Sequence, residues 1–169
     1  MVLDQLAINH IILAIALLLM LLVYLIIYSF RIKMFNKTSM PFKESLDLTG
    51  LPIVTFMSNG KNLHFLLDTG SNMSFINSSL IDELNAERIN SESSTLGAEG
   101  VELQTLHYRI PIEYKNNRYN EIFGALDLNT TFNSIEEDTG IKLHGILGSK
   151  FFKKYRYIID FNELIAYRK

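Results

Sequence analysis

An aspartate at the end of an apolar run is the residue best placed to do chemistry. Leu63-His64-Phe65-Leu66-Leu67 leads directly into Asp68-Thr69-Gly70-Ser71, so a strand ends on an acid and a glycine-bearing turn follows it. An aspartate placed there is held rigidly, with its carboxylate at the floor of a cleft. Hydrolysis without a metal or a covalent intermediate needs a base to activate water and an acid to protonate the carbonyl oxygen or the leaving amine. Two carboxylates sharing one proton supply both functions, because like charges ~3 Å apart do not both ionise. One aspartate is half of that apparatus.

Asp-Thr-Gly occurs a second time, at Asp138-Thr139-Gly140, after Ser134-Ile135-Glu136-Glu137. This copy lacks the apolar strand and the small polar residue after the glycine, and two glutamates would add like charge to a buried acid pair. It reads as a surface turn. The tripeptide alone is therefore a weak signal. The weight rests on Asp68-Thr69-Gly70-Ser71 together with a later apolar element, Leu143-His144-Gly145-Ile146-Leu147-Gly148-Ser149-Lys150-Phe151-Phe152.

The elements that must position these residues read as β-structure. Brief apolar runs at Leu51–Met57, Leu63–Leu67, Val101–Ile112, Tyr119–Leu126 and Tyr155–Phe161 are separated by turn residues, the rhythm of an all-β domain. Asn59-Gly60 between the first two runs signals a type I′ hairpin. Two short helices are expected, at Ser79–Asn85 and Ser149–Lys154. Residues 48–169 form the expected domain, 31–47 a basic, polar linker containing Pro41, and 1–30 a membrane segment.

The membrane segment rests on length and charge. No Asp, Glu, Lys or Arg occurs from Gln5 to Phe30, and the last twenty of these positions span ~30 Å as a helix, the thickness of a bilayer core. Asp4 before the run and Tyr28-Ser29-Phe30-Arg31 after it differ from a cleaved leader with a basic start and a small-residue exit, so a retained anchor is expected. Arg31, Lys33 and Lys37 after the helix place the domain on the cytoplasmic side by the positive-inside rule, with the opposite face left open.

Composition narrows the remaining classes. The net charge of −2 and dispersed basic residues give no footprint for nucleic acid. The absence of cysteine removes disulfides, thiolate metal sites and cysteine nucleophiles. His64, His107 and His144 lack metal-ligand spacing, and neither a metal nor a cofactor is expected.

Together, Asp68-Thr69-Gly70-Ser71 on its apolar strand and the later Ile146-Leu147-Gly148 opening a short helix resemble the retropepsin-like aspartic proteases over about Leu51–Lys169. The pattern is most similar to membrane-anchored or secreted bacterial members, which share a Gly-Ile-Leu-Gly-x-x-Phe stretch and a final hairpin like Ile158-Ile159-Asp160-Phe161. The resemblance implies an all-β half-barrel with one or two short helices, acting as a homodimer on polypeptides. Asp68 would hold the lytic water with its dimer mate, Thr69 would bond across the two-fold axis, Gly70 would let the backbone pass close to the carboxylates, and Ser71 would hydrogen-bond an outer carboxylate oxygen. Ile146, Leu147 and Gly148 would border the groove and support the catalytic loop. Leu96-Gly97-Ala98-Glu99-Gly100 would form the hairpin that closes over substrate. Ser149-Lys150 departs from the Arg-Asn common in viral enzymes, which bears on dimer strength. The competing expectation is a tethered, non-catalytic module that binds an extended peptide as an added strand.

Overall fold

The computed structural model describes residues 4–96 and 102–169, and the chain divides into two units after Lys37. The first is a helix, α1 (Gln5–Thr38). Its Ala7–Phe30 stretch has a mean hydropathy of 3.1, and none of it is buried by protein. The helix is long and apolar enough to cross a membrane.

The second unit contains β1 (Met40–Pro41), α2 (Lys43–Thr49), β2 (Ile53–Ser58), β3 (Lys61–Leu67), β4 (Ser74–Asn77), a 3-10 turn (Ser78–Glu83), β5 (Glu87–Leu96), β6 (Glu102–Tyr114) and β7 (Asn117–Leu126). Then follow α3 (Asn129–Thr139), β8 (Gly145–Leu147), α4 (Ser149–Tyr155), β9 (Tyr157–Asp160) and β10 (Ile165–Arg168). Seven strands form one sheet in the order β2-β3-β8-β4-β7-β6-β5, and a bridge between Met57 and Glu113 brings β2 back against β6. The sheet thus curls toward a barrel, as the all-β reading expects. A separate three-stranded sheet, β1-β10-β9, joins the start of the domain to its end.

Residue types explain the central elements. Asn59 and Gly60 take φ of 49° and 76°, the left-handed pair that turns β2 into β3 with Ser58 opposite Lys61. On β3, Leu63, Phe65 and Leu67 point into the main core while Leu66 faces a second cluster under α3. The main core is aromatic, with Phe56, Tyr119, Phe151 and Tyr157 in ring contact. The second cluster centres on Ile53, Phe132 and Leu143.

Several elements depart from the sequence expectation. Among the described residues the domain has three short α-helices besides the 3-10 turn: α2 and α3 were expected as linker and surface turn. Met40 and Phe42, expected in the linker, are 2% and 1% exposed and belong to the core, where β1 pairs with β10 at Met40↔Ala166. The second Asp-Thr-Gly is the last turn of α3, closed by Gly140 at φ 74°, whose N–H donates to the Glu136 carbonyl at 2.8 Å.

Candidate active site

Asp68 follows β3, and a short parallel neighbour fixes where it stands. β8 lies between β3 and β4, with Leu66 opposite Ile146 and Leu67 opposite Leu147. The ladder continues one step further, because the Asp68 N–H donates to the Leu147 carbonyl at 3.0 Å. Close approach at β8 depends on glycine. A Cβ on Gly145 would strike the Phe75 carbonyl, and one on Gly148 would strike the Met73 carbonyl and lie 2.6 Å from its carbon.

The turn after Asp68 is held from within and from α4. Gly70 N–H donates to Asp68 Oδ1 at 2.9 Å, an Asx-type turn that leaves the carboxylate half-buried with Thr69 and Gly70 exposed beyond it. Gly70 does not need a positive φ. A Cβ there would meet Asp68 Oδ1 at 3.2 Å, tighter than ordinary contact, so the glycine makes room for the acid. From the start of α4, Ser149 Oγ donates to the Thr69 carbonyl at 2.8 Å and Ser149 N–H to the Ser71 carbonyl at 2.8 Å. Lys150 N–H adds a bond to the Asn72 carbonyl at 3.2 Å.

Ser71 behaves differently from what the resemblance implies. Its hydroxyl donates to the Met73 carbonyl at 2.7 Å, closing a local turn. Within the single chain, the carboxylate bond expected of Ser71 comes from the Gly70 amide instead. Leu147 is 0% exposed and lies in the main core, and its carbonyl supports the loop by accepting the Asp68 N–H. Gly148 is likewise buried, and Ile146 packs beside the α3 cluster. Leu96 ends β5 opposite Glu102 in β6. The proposed closing residues Gly97, Ala98, Glu99 and Gly100 lie outside the described residues.

Two features escaped the sequence reading. Ser149 reads as a helix start and a departure from a viral pattern, yet it also grips the loop twice. His64 and His144, 80 residues apart, sit side by side: the His64 backbone N–H donates to His144 Nδ1 at 3.0 Å, and His144 N–H returns a bond to the His64 carbonyl. A ring nitrogen that accepts must be unprotonated. Burial, the neighbouring His64 and Lys142 together lower the His144 pKa to about 4, and burial lowers that of His64. No signal in either residue's local sequence reveals the pairing.

A cavity of about 830 Å³ lies between α2 and the β2–β3 hairpin, lined by residues including Phe42, Leu48, Thr55, His64, Ile141 and Lys142. Asp68 is not among its lining residues. Within one chain Asp68 is half-buried, and the two residues that follow it, Thr69 and Gly70, are exposed.

A family profile and a solved structure match the chain. The profile of the aspartyl protease family matches residues 54–151, more than half of the chain, and runs from β2 through the start of α4. The chain belongs to the aspartyl protease family. Among solved structures it is similar to EIAV protease complexed with the inhibitor HBY-793, at 20% identity and a TM-score of 0.46, covering 62% of this chain and 86% of that one. No curated protein matches the chain.

Proposed function

We propose that the protein is an aspartic endopeptidase whose working form is a homodimer, each chain contributing Asp68 to a shared carboxylate pair. The observation that carries this reading is the Asp68 loop. It is pinned by Leu147 and Ser149 from behind, while its tip, Thr69 and Gly70, is exposed. A second copy related by a two-fold axis would supply the opposing carboxylate from the same surface. In such a pair one aspartate, ionised, takes a proton from water as the water attacks the peptide carbonyl. The other, protonated, gives its proton to the carbonyl oxygen. Collapse of the tetrahedral intermediate, with proton transfer to the nitrogen, releases the amine. Thr69 and Gly70 would meet their counterparts at the axis, and residues 96–100 would close over an extended polypeptide.

The N-terminal helix supports a retained anchor with the protease domain on the cytoplasmic side, from the Arg31, Lys33 and Lys37 flank. Confinement to a bilayer raises the local concentration of chains, so a weak dimer assembles there more readily than in dilute solution.

The test uses the full-length chain in detergent micelles with a peptide library. Cleavage per chain is expected to rise with protein concentration and to fall by on the order of 10²–10⁴-fold in Asp68→Asn. A monomer at high dilution with full specific activity would rule out the shared pair. Because the chain contains no cysteine, a single cysteine introduced at exposed Asn162 reports orientation. Labelling by an impermeant maleimide only after the membrane is opened supports the cytoplasmic placement, and labelling of intact cells refutes it.

A further inference from the structure

On β7 the inward positions alternate as Tyr119, residue 121 and Phe123, and the middle one is an acid: Glu121 is 3% exposed between aromatic neighbours. Burial pushes its carboxyl above the usual carboxylate range, against the pull of Lys154. Only the acid of this pair is buried, since the Lys154 side chain is 46% exposed, and a half-exposed pair adds little stability, so the placement of Glu121 calls for another explanation. Its partners supply one. Oε2 accepts from Lys154 Nζ on α4 at 3.2 Å, the same ammonium that donates to the Asn120 carbonyl at 2.7 Å. Oε1 accepts from the hydroxyl of Ser74, itself 0% exposed, at 3.2 Å.

A serine hydroxyl has one hydrogen. With that hydrogen drawn to Glu121, the lone pairs of Ser74 Oγ are left facing the Gly148 N–H, which donates to it at 3.3 Å. The Gly148 N–H and the Leu147 carbonyl belong to one peptide plane, and the Leu147 carbonyl accepts the Asp68 N–H. One rigid plane is therefore held at its nitrogen end by Ser74 and grips Asp68 at its oxygen end. We propose that Glu121 is a positioning residue for Asp68, acting through Ser74 and the Leu147–Gly148 peptide plane. The proposal rests on the protease reading and adds to it a path from β7 to the acid through Ser74.

The test compares the full-length wild-type chain with Ser74→Ala, Ser74→Thr and Glu121→Gln in micelles, on one peptide substrate, with kcat and KM measured separately. Ser74→Ala and Glu121→Gln are expected to lower kcat about tenfold with KM little changed, since a misplaced acid costs the chemical step more than binding. Ser74→Thr, which keeps the hydroxyl, is expected to restore most of the rate. The Ser74→Ala/Glu121→Gln double variant is expected to fall no further than Ser74→Ala, because both act along one path. Should Glu121→Gln fail to fold, Ser74→Ala alone decides, as it removes one oxygen and leaves the Glu121–Lys154 pair in place. A Ser74→Ala protein that melts lower but keeps the wild-type kcat overturns the proposal and leaves the protease reading intact. A wild-type chain with no Asp68-dependent cleavage overturns both.

Discussion

The tripeptide Asp-Thr-Gly occurs twice in this chain, and the two copies share almost nothing beyond their letters. At residues 68–70 it follows a strand. The aspartate amide is captured by β8, the threonine carbonyl by Ser149, and the glycine sits where a side chain would crowd its own aspartate. At residues 138–140 it ends a helix. Thr139 turns its hydroxyl inward to the Ile135 carbonyl at 2.6 Å and accepts from Ile141 N–H at 3.2 Å, while Gly140 takes φ 74° in open space. The same arrangement ends α2, where Thr49 bonds the Ser45 carbonyl and Gly50 takes φ 71°. Glycine is needed for room in the first copy and for handedness in the second. What a motif does is thus set by the partners that reach it, and in the first copy these come from residues about eighty positions away.

The sharpest way to break that contrast is to neutralise each aspartate in turn. Asp68→Asn is expected to lower peptide cleavage by on the order of 10²–10⁴-fold, the usual worth of an acid–base group, while Asp138→Asn leaves the rate unchanged. Equal loss from both, measured on the full-length chain, would erase the distinction.

Next in size is the floor beneath the first copy. Gly148→Ala drives a methyl into the Met73 backbone and is expected to cost ~1–3 kcal/mol or more of stability, the range for overpacking, read as a lower denaturant midpoint. The glycines within the two copies should then separate the two reasons for glycine. Gly140→Ala is expected to cost ~1–2 kcal/mol for a left-handed residue with kcat untouched. Gly70→Ala is expected to lower kcat with a smaller change in melting.

These contrasts also mark how far the residues alone reveal the molecule. The β2–β3 hairpin was legible because Asn59-Gly60 sits between two alternating runs, and the start of α4 because Ser149 follows a glycine. The identity of Asp68 as the candidate acid was equally local. β8 was not legible as a strand: three residues carry no period, and its partner β3 is parallel and remote. β5 carries polar residues on both faces and shows no alternation. α3 was hidden by Glu136, Glu137 and Asp138, acids in a last turn where the helix dipole disfavours them; only Phe132 and Ile135 mark its buried face. Ser149, Glu121 and the His64–His144 contact depend on side chains meeting across the fold, which no short window displays.

The smallest effect concerns acid. His144 binds a proton less readily folded than unfolded, since its pKa falls from 6.5 to about 4. The unfolded chain therefore takes up more protons between these values. The stability that the neutral ring provides is complete above about pH 6.5 and is lost as pH falls toward 4. Discounted for a half-exposed ring, the loss is about 1 kcal/mol. The expected sign is faster amide exchange along β3, the strand that delivers Asp68, with no such change at Asp138. His144→Leu should reduce the pH dependence, leaving the part that the buried His64 carries, and an unchanged slope would show that the His144 ring does not couple to the first copy.

The seam between β1 and β10 has a consequence for any event that sheds the domain from its helix. The Ser39 carbonyl accepts from Tyr114 Oη, Phe42 N–H donates to the Leu164 carbonyl, and Phe42 is buried. A nick ahead of Ser39 would free an intact body. A nick a few residues later would tear a strand and an aromatic anchor from the closing sheet, so the place of scission decides whether liberation yields a working fragment or a damaged one.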